Sequence, residues 1–170
     1  MSAKVLIAGV GNIFLGDDAF GVEVAQRLAG RTLPEGVQVV DFGIRGFDLA
    51  FALMDAWDAV ILVDAMARGV EPGTVAAIEP DLESLETASI ADPALETHGM
   101  HPANVLRMVK AMGGTPPPVI LVACEPQDLG GEDGRMGLSE PVQAAVDQAV
   151  VLIERLVQDL ARRRMPVEAS

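Results

Sequence analysis

An acidic pair, Asp17 and Asp18, follows the glycine-punctuated stretch IAGVGNIFLG at 7–16, and Asp41, Asp64 and Glu125 each end or follow an apolar run. The two histidines, His98 and His101, both lie in THGMHP at 97–102. An imidazole with two carboxylates is a three-ligand N/O set, which suits a borderline divalent ion such as zinc or nickel and leaves positions open for water or substrate. The same groups can instead act as acid and base on a bound water. His101 directly precedes Pro102, a helix-cap position, so His98 is the stronger candidate. The spacing Gly9-x-Gly11-x(4)-Gly16 is neither G-x-G-x-x-G nor a P-loop, and no Lys follows it. Carboxylates also stand where a phosphate would need to sit, at the positive end of a helix. A cation or a protonatable carboxylate is therefore expected there rather than an anion. The plainest role for Asp17 or Asp18 is a helix cap, and one can cap while the other points inward. Cys124 reads as strand-end packing, and Ser139 as a cap, since no G-x-S-x-G surrounds it.

Elements that would position these groups alternate between two periodicities. Strands are expected at 5–10, 37–40 (ending at Asp41), 59–63 (ending at Asp64), 74–78 and 119–123. Helical stripes run through Phe20, Val24, Ala25 and Leu28; through Phe47, Ala50, Leu53 and Met54; and through Val105, Met108, Val109 and Met112. A long final helix presents Val142, Val146, Val150, Ile153, Val157 and Leu160. The acidic stretch 79–96 reads as a surface loop with one short helix around 82–85. Strands that are apolar throughout and separated by helices predict an α/β fold: a single-domain three-layer sandwich over 1–165 with a tail at 166–170, its mostly parallel twisted sheet of about five strands covered by helices on both faces. Ligands in such sheets bind beyond the carboxyl ends of the strands. Asp18, Asp41, Asp64 and Glu125 all fall at that edge, where their mutual repulsion calls for a cation, a proton or a cationic substrate group.

Composition narrows the function classes. Half of the 170 residues are hydrophobic, so the chain packs a core, and its formal charge of −13 repels nucleic acid and anionic membrane. The basic run at 162–164 reads as a helix end. One cysteine precludes an internal disulfide and fits a reducing compartment, and neither a membrane span nor a signal core is evident, which predicts a cytoplasmic protein.

The ordered set GVGNxxxxDD with Gly21, DFGIRG at 41–46, LVDA at 62–65, THGMHP at 97–102 and the CEP and MGLSEPV segments between 124 and 142 resembles the hydrogenase maturation endopeptidases. These trim a C-terminal extension from the large subunit of nickel–iron hydrogenases. The resemblance implies a twisted-sheet α/β fold and a divalent metal held by Asp18, Asp64 and His98, with Asp41 as a supporting catalytic residue. It implies that the metal is the nickel of the large-subunit precursor, with other divalent ions able to occupy the site in vitro. The family often carries Glu where this chain has Asp18, one methylene shorter with the same charge. Arg45 and its neighbours at 43–46 are expected to line a peptide groove. The rival readings are a non-catalytic nickel-site sensing chaperone using the same three residues, and a nucleotide-binding module.

Overall fold

The computed structural model describes residues 2–80 and 102–164. The short helix expected around 82–85, His98 and His101, and the tail 166–170 lie outside the described residues. Among the described residues nine elements follow in order: β1 (Val5–Val10), α1 (Phe20–Ala29), β2 (Val37–Gly43), α2 (Gly46–Leu53), β3 (Ala59–Ala65), β4 (Val75–Ile78), α3 (Pro102–Ala111), β5 (Val119–Cys124) and α4 (Glu140–Arg164). A 3-10 turn, Gly16–Ala19, leads into α1.

The strands form one sheet in the order β2-β1-β3-β5-β4. The pairs β1–β2, β1–β3 and β3–β5 are parallel, and β4 pairs with β5 antiparallel at the edge. Both faces are covered, which is why the strand sequences do not alternate with polar residues. Val5 and Ile7 of β1, with Ile61 and Val63 of β3 and Val122 of β5, pack against Phe20, Val24 and Leu28 of α1 and Val142, Val146, Val150 and Ile153 of α4. The alternate residues Leu6, Ala8 and Val10, with Val60, Leu62 and Leu121, face Leu49, Ala50 and Leu53 of α2 and Val105, Leu106 and Val109 of α3. Each large aliphatic side chain taken wholly out of water stabilises the fold by roughly 1.5–3 kcal/mol, so period-2 burial on both faces fixes the strand register strongly.

Two expectations from periodicity change. In α2 the core side is Leu49, Ala50 and Leu53, whereas Phe47 is 70% exposed and Met54 39%. GFDLAFAL is apolar almost all round, so its period cannot select a face, and docking on the sheet selects one. In α3, Leu106 replaces Met112, which lies past the last residue of the helix and is exposed. Strands β2 and β3 also run past Asp41 and Asp64 rather than stopping at them.

Candidate active site

The chain leaves β1 at Val10 and folds back through the 3-10 turn onto the strand it has just left. Gly11 (φ +147°) makes this return feasible, because a Cβ there would stand 1.8 Å from the Asp18 carbonyl oxygen. Gly21 seats the first turn of α1 directly on the sheet, where a Cβ would lie 2.1 Å from the Val63 carbonyl oxygen and 2.3 Å from that of Val10. Asp18 is thereby carried over the carboxyl ends of β1 and β3. One of its oxygens accepts a hydrogen bond from the Asn12 N–H at 2.8 Å.

Asp64, on β3, is the partner the fold brings to it. Part of the Asp64 residue reaches solvent, yet its carboxyl is enclosed by protein. Burial, then the nearby charge of Asp18, pushes its proton affinity well above the ordinary carboxylate range, against a hydrogen bond from the Ala65 backbone. A carboxylate pair of this kind is relieved either by sharing a proton or by a cation.

The other two edge carboxylates do not join them, which corrects the expectation of four mutually repelling charges. Asp41 alternates with Val37 and Val39, which pack toward α1 and α4, whereas Asp64 alternates with Val60 and Leu62, which pack toward α2 and α3. Asp41 accepts from the Gly43 N–H at 2.9 Å and lines a groove of about 350 Å³ with Gly11, Asn12, Phe14, Ile44 and Arg45. Glu125 is buried and accepts from the Arg68 and Gly69 N–H groups at 2.6 and 3.1 Å, bracing the loop between β3 and β4. Its charge is answered by backbone dipoles rather than by a ligand.

The acidic pair divides its work differently from a cap and a ligand. Neither the 3-10 turn nor α1 has a side-chain cap, so no aspartate caps there. Asp17 is fully buried instead. One of its oxygens accepts from the Ser139 N–H at 2.7 Å, and the other from the Gln127 and Asp128 N–H groups and the Ser139 hydroxyl, each at 2.8 Å. Burial pushes its pKa up, but these hydrogen bonds outweigh burial and hold it below the usual carboxylate value. The composition of an Asp-Asp pair gives no sign of which member turns inward. The polar loop ahead of Ser139, rich in N–H groups, was the available hint.

Among the described residues no group of three or more His, Cys, Asp or Glu side chains is placed to hold a metal ion. Of the three expected ligands, Asp18 and Asp64 are brought together at the sheet edge, and His98 lies outside the described residues.

The hydrogenase maturation protease family model matches residues 22–156. The hydrogenase expression/formation protein HoxM of Azotobacter vinelandii is 31% identical over 157 residues, 91% of this chain and 73% of that protein. Among solved structures, the hydrogenase maturating endopeptidase HybD from Escherichia coli is 30% identical, superposes with a TM-score of 0.74, and is covered over 93% of its length by 92% of this one. HycI, a [NiFe] hydrogenase maturation protease from Thermococcus kodakarensis, is 27% identical with a TM-score of 0.68, over 92% of this chain and 94% of that one. The chain belongs to the hydrogenase maturation protease family.

As a maturation protease it is an endopeptidase, and its structure removes two ordinary nucleophiles from consideration. Cys124 is buried, and burial, then the charges of Asp17 and Glu125, pushes its thiol up to about 12, so it carries almost no thiolate at neutral pH. The Ser139 hydroxyl is buried and donates to Asp17, a carboxylate that already accepts from three backbone amides. Arg45 lines the groove beside Asp41, and its guanidinium is tied down by its own loop. It donates to the Asp41 carbonyl at 2.6 Å and pairs with Asp48 at 3.2 Å.

Proposed function

We propose that this maturation protease removes the C-terminal extension of a nickel–iron hydrogenase large-subunit precursor after nickel has been inserted. Asp18, Asp64 and His98 grip the substrate's nickel and so fix the adjacent scissile peptide. The observation that carries this reading is the enclosed Asp64 carboxyl facing the charge of half-buried Asp18 at the carboxyl edge of the sheet. A divalent ion supplied by the substrate would compensate the burial and the Asp18 charge that together raise the proton affinity of Asp64.

Chemistry at the site needs a water, a proton acceptor and an aligned carbonyl. The water, activated by the metal or by one carboxylate, attacks the scissile carbonyl, and its proton passes to the amine of the departing extension as the peptide C–N bond breaks. Alignment is the larger contribution, on the order of 7–11 kcal/mol where both reactants are well held. The groove beside Asp41 runs from the Asn12–Phe14 loop to Ile44 and Arg45 and offers an apolar bed for the extension. Asp41 supports that bed and does not touch the nickel. We assign the enzyme to the cytoplasm, with the large-subunit precursor as its partner and neither nucleic acid nor membrane. No described helix is long and apolar enough to cross a membrane.

Incubation with nickel-loaded and nickel-free precursor tests the proposal. Cleavage of the loaded form alone, abolished by Asp18→Asn, Asp64→Asn or His98→Ala in folded protein, is the expected outcome. Equal cleavage of both forms refutes nickel recognition, and binding without cleavage would make the chain a sensing chaperone.

A further inference from the structure

We infer that Asp17 is the positioning residue of the active site, holding the turn that aims Asp18. This inference rests on the reading of Asp18 as a ligand for the substrate's nickel.

Asp17 sits in the second position of the 3-10 turn, one residue before Asp18. A 3-10 turn advances about 120° per residue, so neighbouring side chains diverge, and fixing one sets the direction of the next. The fixing is thorough. Asp17 is wholly inaccessible to solvent and its two oxygens take four hydrogen bonds, from Gln127, Asp128 and twice from Ser139. The turn's own backbone is bonded to the same segment, from the Asp17 N–H to the Asp128 carbonyl and from the Gly16 N–H to the Arg135 carbonyl, each at 2.8 Å. Ser139 stands immediately before α4, so the Asp17 carboxylate also meets the positive end of a 25-residue helix. Asp18 therefore inherits its direction from a clamp joining the β1–α1 connection to the β5–α4 connection.

The chemistry of the clamp demands a carboxylate. Both oxygens accept from backbone N–H groups, Ser139 on one side and Gln127 and Asp128 on the other. An asparagine in either flip would turn its NH₂ toward an N–H donor. A buried charge is costly to the fold unless dipoles satisfy it fully, as three backbone N–H groups and a hydroxyl do here. What the clamp secures beyond stability is the rigidity of the neighbouring ligand, the function that supporting residues serve in metal-binding sites generally.

The test is steady-state cleavage of nickel-loaded precursor by the full chain carrying Asp17→Asn, Ser139→Ala or Asp18→Asn. Each variant is assayed well below its own melting temperature, with kcat and KM resolved. Asp17→Asn is expected to lower kcat about 10–100-fold with KM within about threefold, the range seen when supports of metal ligands are lost. Ser139→Ala, which removes one of the four bonds, is expected to lower kcat by a smaller factor, and it carries the test if Asp17→Asn does not fold. Folded Asp17→Asn, or Ser139→Ala in its place, with wild-type kcat and a loss confined to melting temperature overturns the inference. If Asp18→Asn is inactive while Asp17→Asn cleaves normally, the ligand reading stands and this inference alone falls. If Asp18→Asn cleaves normally, both fall.

Discussion

Replacing Gly21 by alanine tests how the site is seated. The new Cβ would lie 2.1 Å from the Val63 oxygen, 2.3 Å from the Val10 oxygen and 2.9 Å from the Val10 nitrogen, all backbone atoms of β3 and β1. Ordinary contacts are about 3.5 Å, so the first turn of α1 must lift by roughly 1 Å. Two effects compete. Alanine in a helix is better than glycine by about 1 kcal/mol, whereas overpacking costs about 1–3 kcal/mol, and the upper end applies when backbone rather than rotamers must yield. The balance is a loss of about 2 kcal/mol, which for a chain of this length lowers the melting temperature by about 4–8 °C. The same 1 Å displacement carries Asp18 away from Asp64, and misplacement on that scale costs about 100-fold in rate. Gly30→Ala is the control. Gly30 has φ −84° and its Cβ would meet only the Arg27 carbonyl oxygen, at 3.7 Å, so a small gain in stability and unchanged cleavage are expected. Thermal scans by circular dichroism and cleavage assays well below the transition read both quantities. A Gly21→Ala protein that melts at or above the wild-type temperature and cleaves normally would refute the seating of α1 on β1 and β3.

The remaining predictions concern charge, the thiol and the groove. Because the folded chain keeps a proton on Asp64 above the ordinary value of 3.8, the stability linked to that proton is present below 3.8 and is lost as pH rises toward the folded value. Urea melts should therefore find Asp64→Asn level with wild type in acid and increasingly more stable than it as pH rises. Asp17 has the opposite sign: its contribution is present above 3.8 and disappears as pH falls through its lowered folded value, so the deficit of Asp17→Asn should shrink in acid. With its thiol at about 12, Cys124 should resist iodoacetamide near pH 8 in the native protein and react after unfolding, and rapid native labelling with loss of activity would contradict its burial. Phe14 and Ile44, both 63% exposed at the groove, should act through substrate. Serine at both is expected to raise KM about tenfold with little change in melting temperature, and an unchanged KM would remove the groove from the substrate path.

The sheet was legible because strands buried on both faces are written as unbroken apolar runs. β1 lies at 5–10 as expected, and β5 extends the expected run by one residue. The long helix was legible for a related reason, since Val142 to Val157 repeat at three and four residues over a face that is otherwise polar. α2 was not, because Phe47 and Phe51 make both of its sides apolar and only packing against the sheet and α3 decides which is covered. The antiparallel direction of β4 was also out of reach: ValAlaAlaIle carries no directional signal, and its pairing follows from where the preceding loop, braced on Glu125, delivers it.

At the site, the edge on which the carboxylates would gather could be read from strand ends, but not which of them would keep its charge uncompensated. That is decided by the supply of backbone amides. Asp17 receives three N–H groups and a hydroxyl and is held below the ordinary carboxylate range although the residue is wholly inaccessible to solvent. Glu125 receives two N–H groups, from the loop between β3 and β4, and Asp41 one, from the end of its own strand. For Asp64 the single opposing hydrogen bond comes from Ala65, too little against burial and the charge of Asp18, so its proton affinity rises. Among the described residues the fold has thus answered the neighbouring charges with its own dipoles and left Asp64 under-supplied, which is where a cation would gain the most.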